Sequence, residues 1–243
     1  MLHPLICVGL ITLAACKHAE APPPRALGAA LPLDRIEIVG ASVSAGFGGM
    51  PFLDAFTAAA KRSHVDGVAN VMLFRDPLGD TKRQIDRAIA FRATVVIGLD
   101  VLFWDVYGHG ELEPALAELE RARQTGAWIV IGDVPLITTA SEMLLPKEAI
   151  PSEPVLAAAN DRIRAWATRD RVLLVPLTAW TAPLRSGGTI ELRPGERVPA
   201  ASLMSIDGLH ANALGTWYLL DRLDQLIEEK LPGTPKDALV FRR

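Results

Sequence analysis

The sequence predicts one α/β domain, a three-layer αβα sandwich around a central five-stranded parallel sheet. Three observations carry that expectation. Short runs rich in Val and Ile alternate along the chain with amphipathic helical patterns. The runs are apolar almost throughout instead of at every second residue, as in strands covered on both faces. A length of 243 residues, 50% of them hydrophobic, suits a single domain with a substantial core.

Each element follows from its residues. Arg35–Val39 reads as the first strand, Ala69–Phe74 as the second and Thr94–Ile97 as the third. Trp128–Ile131 and Val172–Val175 supply the fourth and fifth. The helical patterns are Pro51–Arg62, Thr81–Phe91, Glu111–Thr125, Glu153–Thr168 and Asn212–Glu229. Strand–helix alternation implies right-handed crossovers, and in such folds ligands bind beyond the carboxyl ends of the strands. Thr178 to Ser205 reads as a long excursion, with Gly187-Gly188 and Pro194-Gly195 as turn signals. Met143-Leu144-Leu145 is expected in the core, with an exposed apolar lip as the alternative.

Residues 1–15 read as a leader: Leu5 to Ala15 is apolar, too short to span a bilayer and suited to a signal-peptide core, although the flank Met1–Pro4 has no Lys or Arg. The run ends Leu13-Ala14-Ala15-Cys16, which resembles a bacterial lipobox, and that resemblance implies cleavage before Cys16 and lipidation of its thiol. An ordinary secretory signal with an incidental Cys16 is the plainer alternative. Residues 16–33, with Pro22-Pro23-Pro24 and many alanines, read as a tether, and 34–243 as the folded domain. Only Cys7 and Cys16 exist, so a processed chain has no intramolecular disulfide. A net charge of −3 without a basic block leaves no footprint for nucleic acid. No His/Cys/Asp grouping has metal-ligand spacing, and no cofactor is expected.

Candidate chemistry sits where the first strand runs into Gly40-Ala41-Ser42-Val43-Ser44-Ala45-Gly46. A serine there presents its hydroxyl to a ligand, and the neighbouring amides can face an oxyanion. Ser44 is a rival nucleophile, and a helix-capping serine is the plainer reading. Gly79, just ahead of a helix, can turn its amide into the cleft or merely belong to a turn capped by Asp80 or Thr81. Asp100 closes the third strand, and Phe103 and Trp104 after it can wall a pocket or fill the core. Asp207-Gly208-Leu209-His210 places an acid three residues before a histidine, an orienter and a base for a serine elsewhere.

Taken in order, these blocks resemble the SGNH (GDSL-type) hydrolases, from about Arg35 to Leu226. Gly40 to Gly46 resembles the first block, Gly-Asp-Ser-Leu-Ser-x-Gly, with Ser42 on the nucleophile. Gly79 matches the glycine whose amide serves the oxyanion hole, Gly98-Leu99-Asp100 resembles Gly-x-Asn, and Asp207 to His210, with Gly215 beyond, matches the last block. The resemblance implies a flavodoxin-like sandwich and a serine esterase with Ser42, His210 and Asp207 as catalytic residues. It assigns Ser42, Gly79 and position 100 to the oxyanion hole. Two positions depart from the pattern: Ala41 replaces the signature Asp, and Asp100 replaces an Asn that donates to the oxyanion. An ionised carboxylate only accepts hydrogen bonds. Losing one oxyanion donor costs about 3 kcal/mol, unless a dry pocket keeps Asp100 protonated. The expected activity is ester or O-acetyl hydrolysis through an acyl-enzyme, by a protein lipid-anchored in the cell envelope. The alternatives are an acyltransferase and a catalytically weak or inactive binding protein.

Overall fold

The computed structural model describes residues 30–108 and 110–241. The leader, Cys16 and most of the tether, residues 1–29, lie outside that range, as does His109. Five parallel strands form the central sheet: β1 (Arg35–Ile38), β2 (His64–Gly67), β3 (Val95–Gly98), β4 (Trp128–Gly132) and β5 (Val172–Val175), in the order β2-β1-β3-β4-β5. Helices cover both faces, so the expected αβα sandwich is the observed one.

Alternation along the inner strands sends side chains into two cores. Ile36 and Ile38 of β1 and Val95 and Ile97 of β3 pack on α1 (Phe52–Ala59) and α7 (Ala213–Lys230), through Phe52, Phe56, Leu220 and Leu223. Val96 and Ile129 face the other way, onto α2 (Pro77–Phe91), α4 (Leu112–Gln124) and α5 (Glu153–Trp166). Two caps fix the helices nearest the site. Asp76 accepts from the Gly79 amide with Pro77 next in line, which starts α2, and Asn212 accepts from the Gly215 amide, which starts α7.

The second strand is not where the sequence reading put it. β2 is His64–Gly67, and Ala69–Phe74 is a loop ending in a 3-10 turn, Leu73–Arg75. This strand lies at the sheet edge, half exposed, so His-Val-Asp-Gly lacks the apolar run that betrays an inner strand. Asn70 turns the apolar stretch into a loop by accepting from the Met72 amide and donating to Asp80. The excursion after β5 holds α6 (Leu177–Ser186) and a hairpin of β6 (Thr189–Arg193) and β7 (Glu196–Pro199), whose Ile190 and Leu192 are buried. A short α3 (Phe103–Val106) follows β3. Leu145 is core as expected, but Met143 is 89% exposed and Leu144 is exposed too, because their loop runs along the rim beside Asp207. The fold also reaches back beyond the expected start at residue 34. Leu31 is buried and its amide donates to Thr234.

Candidate active site

The carboxyl ends of β1, β3 and β4 and the loop ahead of α7 meet over one cavity of about 100 Å³. Ser42 enters from the loop after β1 and His210 from the turn before α7. His210 Nε2 lies 2.9 Å from Ser42 Oγ, and His210 Nδ1 lies 2.8 Å from Asp207 Oδ2. The other carboxylate oxygen, Asp207 Oδ1, accepts from the amides of Leu209 and His210, both at 2.9 Å. Burial works to raise the Asp207 carboxyl, but the hydrogen bonds from the His210 amide and ring and from the Leu209 amide outweigh it. The group is held below the ordinary carboxylate range. It stays ionised, and a fixed acceptor on Nδ1–H leaves Nε2 to receive a proton from Ser42.

Local backbone makes this turn possible. Gly208 sits at φ 66°, and a Cβ there would run into the Thr139 carbonyl oxygen. The 139–145 loop is tied to the same turn by Thr139 Oγ1 donating to the Gly208 carbonyl and the Ser141 amide donating to the Asp207 carbonyl. Phe47 packs on the His210 ring, centroids 4.6 Å apart.

The nucleophile loop is clamped from beneath. Gln84 of α2 grips Gly40 twice, its Oε1 accepting from the amide at 2.6 Å and its Nε2 donating to the carbonyl at 3.0 Å. Asp100 Oδ1 accepts from the Ala41 amide at 3.0 Å and from Ser44 Oγ at 2.6 Å. Asp100 Oδ2 accepts from the Val43 and Ser44 amides at 2.8 and 3.3 Å. The amides of Ala45, Gly46 and Phe47 donate to backbone carbonyls. Among the described residues, the Ser42 amide is therefore the one N–H of residues 40–47 left without an acceptor. Gly40, at φ 126°, admits this clamp because a Cβ there would collide with Asp100 Oδ1 and Ser44 Oγ.

Two sequence expectations for the oxyanion hole are corrected. Gly79 lies in the first turn of α2, where its amide donates to Asp76 at 3.1 Å, and it takes no part in the cavity. A second strand at Ala69–Phe74 would bring Gly79 to the cleft, whereas with β2 at His64–Gly67 it belongs to α2. Asp100 does reach the cavity wall, but both its oxygens are spent on the nucleophile loop, so it acts as an acceptor and not as an oxyanion donor. Burial pushes its carboxyl up against the pull of the Ser44 hydroxyl and the three amides. Ser44 itself is buried under the loop and bonded to Asp100, which removes it as a rival nucleophile.

Phe103 and Trp104 line the cavity as the sequence permitted, joined by Ile137, Leu184 and Met204. Asp133, at the carboxyl end of β4, was not foreseen. Its Oδ1 accepts from the Thr178 amide at 2.7 Å, and its Oδ2 lies 3.6 Å from Arg164. The signal that singled out Asp100, an acid ending a strand, was equally present there. A larger groove of about 750 Å³, between Pro32, Ala58, Trp217 and Phe241, contains none of these groups. Among the described residues, no cluster of three His, Cys, Asp or Glu side chains could hold a metal ion.

No protein-family model matches the sequence and no curated protein matches it. Solved structures do. A GDSL-like lipase from Bacteroides thetaiotaomicron aligns over 88% of this chain and 94% of its own, with 15% identity and a TM-score of 0.56. A psychrotrophic esterase, EstA, from Pseudoalteromonas sp. aligns over 81% and 97%, with 14% identity and a TM-score of 0.51. A protein from Slackia heliotrinireducens assigned as an SGNH hydrolase aligns over 81% and 98%, with 17% identity and a TM-score of 0.52. With its parallel sheet, its flanking helices and these neighbours, the chain has the fold of the GDSL/SGNH hydrolases.

Proposed function

We propose that this protein is a serine carboxylic-ester hydrolase working through an acyl-enzyme. The observation that carries the proposal is the unbroken chain from Asp207 Oδ2 through both nitrogens of His210 to Ser42 Oγ, opening on a cavity. Ser42 Oγ attacks the ester carbonyl carbon while its proton passes to His210 Nε2, and Asp207 holds the imidazolium so formed. The carbonyl oxygen takes up the negative charge, and we assign the Ser42 amide, which has no acceptor within the protein, as its donor. Collapse of the tetrahedral adduct expels the alcohol, which receives the His210 proton. Water, deprotonated by His210, then releases the acid and restores Ser42. The neighbours named as lipase and esterase support this reading, as does the inhibition of one of them by monoethylphosphonate.

We propose its site of action from the sequence at the other end of the chain. The lipobox-like Leu13-Ala14-Ala15-Cys16 supports export and lipidation at Cys16, which would hold the domain on a membrane of the cell envelope.

A fluorophosphonate probe and p-nitrophenyl acetate test the chemistry. Wild-type protein is expected to be labelled and to turn over, and Ser42→Ala to do neither. Equal behaviour of the two proteins would sink the proposal.

A further inference from the structure

We infer that the catalytic cavity selects esters of short, uncharged acyl groups with apolar alcohols, and discriminates against long acyl chains and carbohydrate esters. The inference rests on the ester-hydrolase reading and narrows its substrate class. The first support is size. The cavity beside Ser42 measures about 100 Å³. An apolar protein cavity of about 150 Å³ holds benzene, six carbons, so this one takes roughly four heavy atoms, the span from acetyl to butyryl.

The second support is lining. Phe103, Trp104, Ile137, Leu184 and Met204 supply the walls. The polar side chains among them already have partners within the protein. Both Asp100 oxygens serve the nucleophile loop, Asp133 accepts from Thr178, and Thr181 donates to the Leu177 carbonyl. A charged acyl group would lose its water there with nothing to replace it.

The third support is the mouth. A parallel sheet puts all the loops that follow its strands at one end, and here the loops after β1 and β2 expose Phe47 and Phe74, each in contact with a residue that lines the cavity. Phe47 follows β1 and lies on His210. Phe74 follows β2 and packs on Trp104, centroids 5.7 Å apart. Met143 follows β4, and Ile206, fully exposed, precedes Asp207. Exposed apolar side chains grouped at a cleft mark a ligand surface. A sugar ring would bring hydroxyl groups to this rim and find aromatic and aliphatic carbon in place of hydrogen-bonding partners. A leaving alcohol with an aryl or alkyl body would instead bury that body against Phe47 and Phe74.

Two substrate series decide the matter. With p-nitrophenyl acetate, butyrate and octanoate, kcat/KM should peak at acetate or butyrate and fall about tenfold or more at octanoate. Trp104→Ala, and independently Leu184→Ala, should raise octanoate relative to acetate by about tenfold as the wall recedes. With the acyl group fixed as acetyl, naphthyl acetate should exceed an O-acetylated xylo-oligosaccharide by about tenfold or more. Ile206→Ser should narrow that second ratio through KM, leaving the acyl-chain profile as it was. Octanoate equal to butyrate, or the acetylated sugar equal to naphthyl acetate, overturns the inference while fluorophosphonate labelling of Ser42 keeps the hydrolase reading intact. Absence of both labelling and turnover takes the two down together.

Discussion

Replacing Asp100 by Asn asks whether this side chain serves the nucleophile loop or the oxyanion. The carboxylate takes four donors, two on each oxygen. An amide offers one accepting oxygen. With that oxygen towards Val43 and Ser44, the NH2 group faces the Ala41 amide and the Ser44 hydroxyl. The hydroxyl can rotate to accept, and the Ala41 N–H is orphaned. The opposite orientation strands two amides, so the first prevails. Leaving one buried amide unsatisfied costs about 1–3 kcal/mol. If about 2 kcal/mol of that reaches the transition state through a loosened Ser42, kcat falls roughly thirtyfold. The competing effect is larger per event: a new oxyanion donor is worth about 3–4 kcal/mol. It needs an N–H aimed at the oxyanion, and here both positions of the amide face the loop. Asp100→Asn is therefore expected to lower kcat on p-nitrophenyl acetate by about ten- to a hundredfold and to lower Tm by a few degrees. A rise in kcat would refute the reasoning, since it would place the introduced side-chain amide in the oxyanion hole.

The remaining predictions concern the framework and the anchor. Glu37 is buried with neither oxygen bonded, and burial with Asp66 nearby pushes its carboxyl up to about 7 against the pull of Arg87. The folded protein thus keeps this proton through a window, from about pH 4.5 to about pH 7, in which the unfolded chain has released it, so stability should fall as pH rises through that window by up to about 3 kcal/mol. Glu37→Gln should raise Tm at pH 8 and flatten the profile, and an unchanged Tm there would count against it. Gly208→Ala forces a side chain into the left-handed region and against Thr139, at about 1–2 kcal/mol for the backbone alone. Both Tm and kcat should drop, and a fully active, equally stable variant would remove the turn from the account. Asn212→Ala loses the cap on Gly215 and the two bonds from Nδ2 to the Ser202 and Met204 carbonyls, so Tm should fall by several degrees in a thermal melt. Cys16→Ser should abolish labelling by a palmitate analogue and release the protein from membranes. Labelling that persists would rule out lipidation at Cys16.

The inner strands were legible because burial on two faces leaves an unbroken apolar run, as in Val95–Gly98 and Trp128–Gly132. The edge strand was not, because half its surface is wet and its four residues, His-Val-Asp-Gly, carry no such run. That single slip propagated: with the strand ending at Phe74, Gly79 stands near the cleft, whereas with its end at Gly67 the same glycine falls inside a helix. Ser42 and the Asp207/His210 pair could be proposed from residue type and local spacing, because Ser42 directly follows a strand and the other two share one short turn. The hold of Gln84 on Gly40 and of Asp100 on three loop amides could not be, since such contacts join elements 44 to 59 positions apart. Neither end of those contacts carries a mark of the other.

The direction of β1 has a practical consequence. The chain enters at Leu31, fastened to Thr234, passes up the strand and delivers Ser42 at the opposite pole. Anything attached ahead of residue 30, whether a lipid, a bead or a fused partner, grips the molecule by its base. A support coupled directly at residue 30 would face the base of the domain and leave the catalytic mouth on the far side.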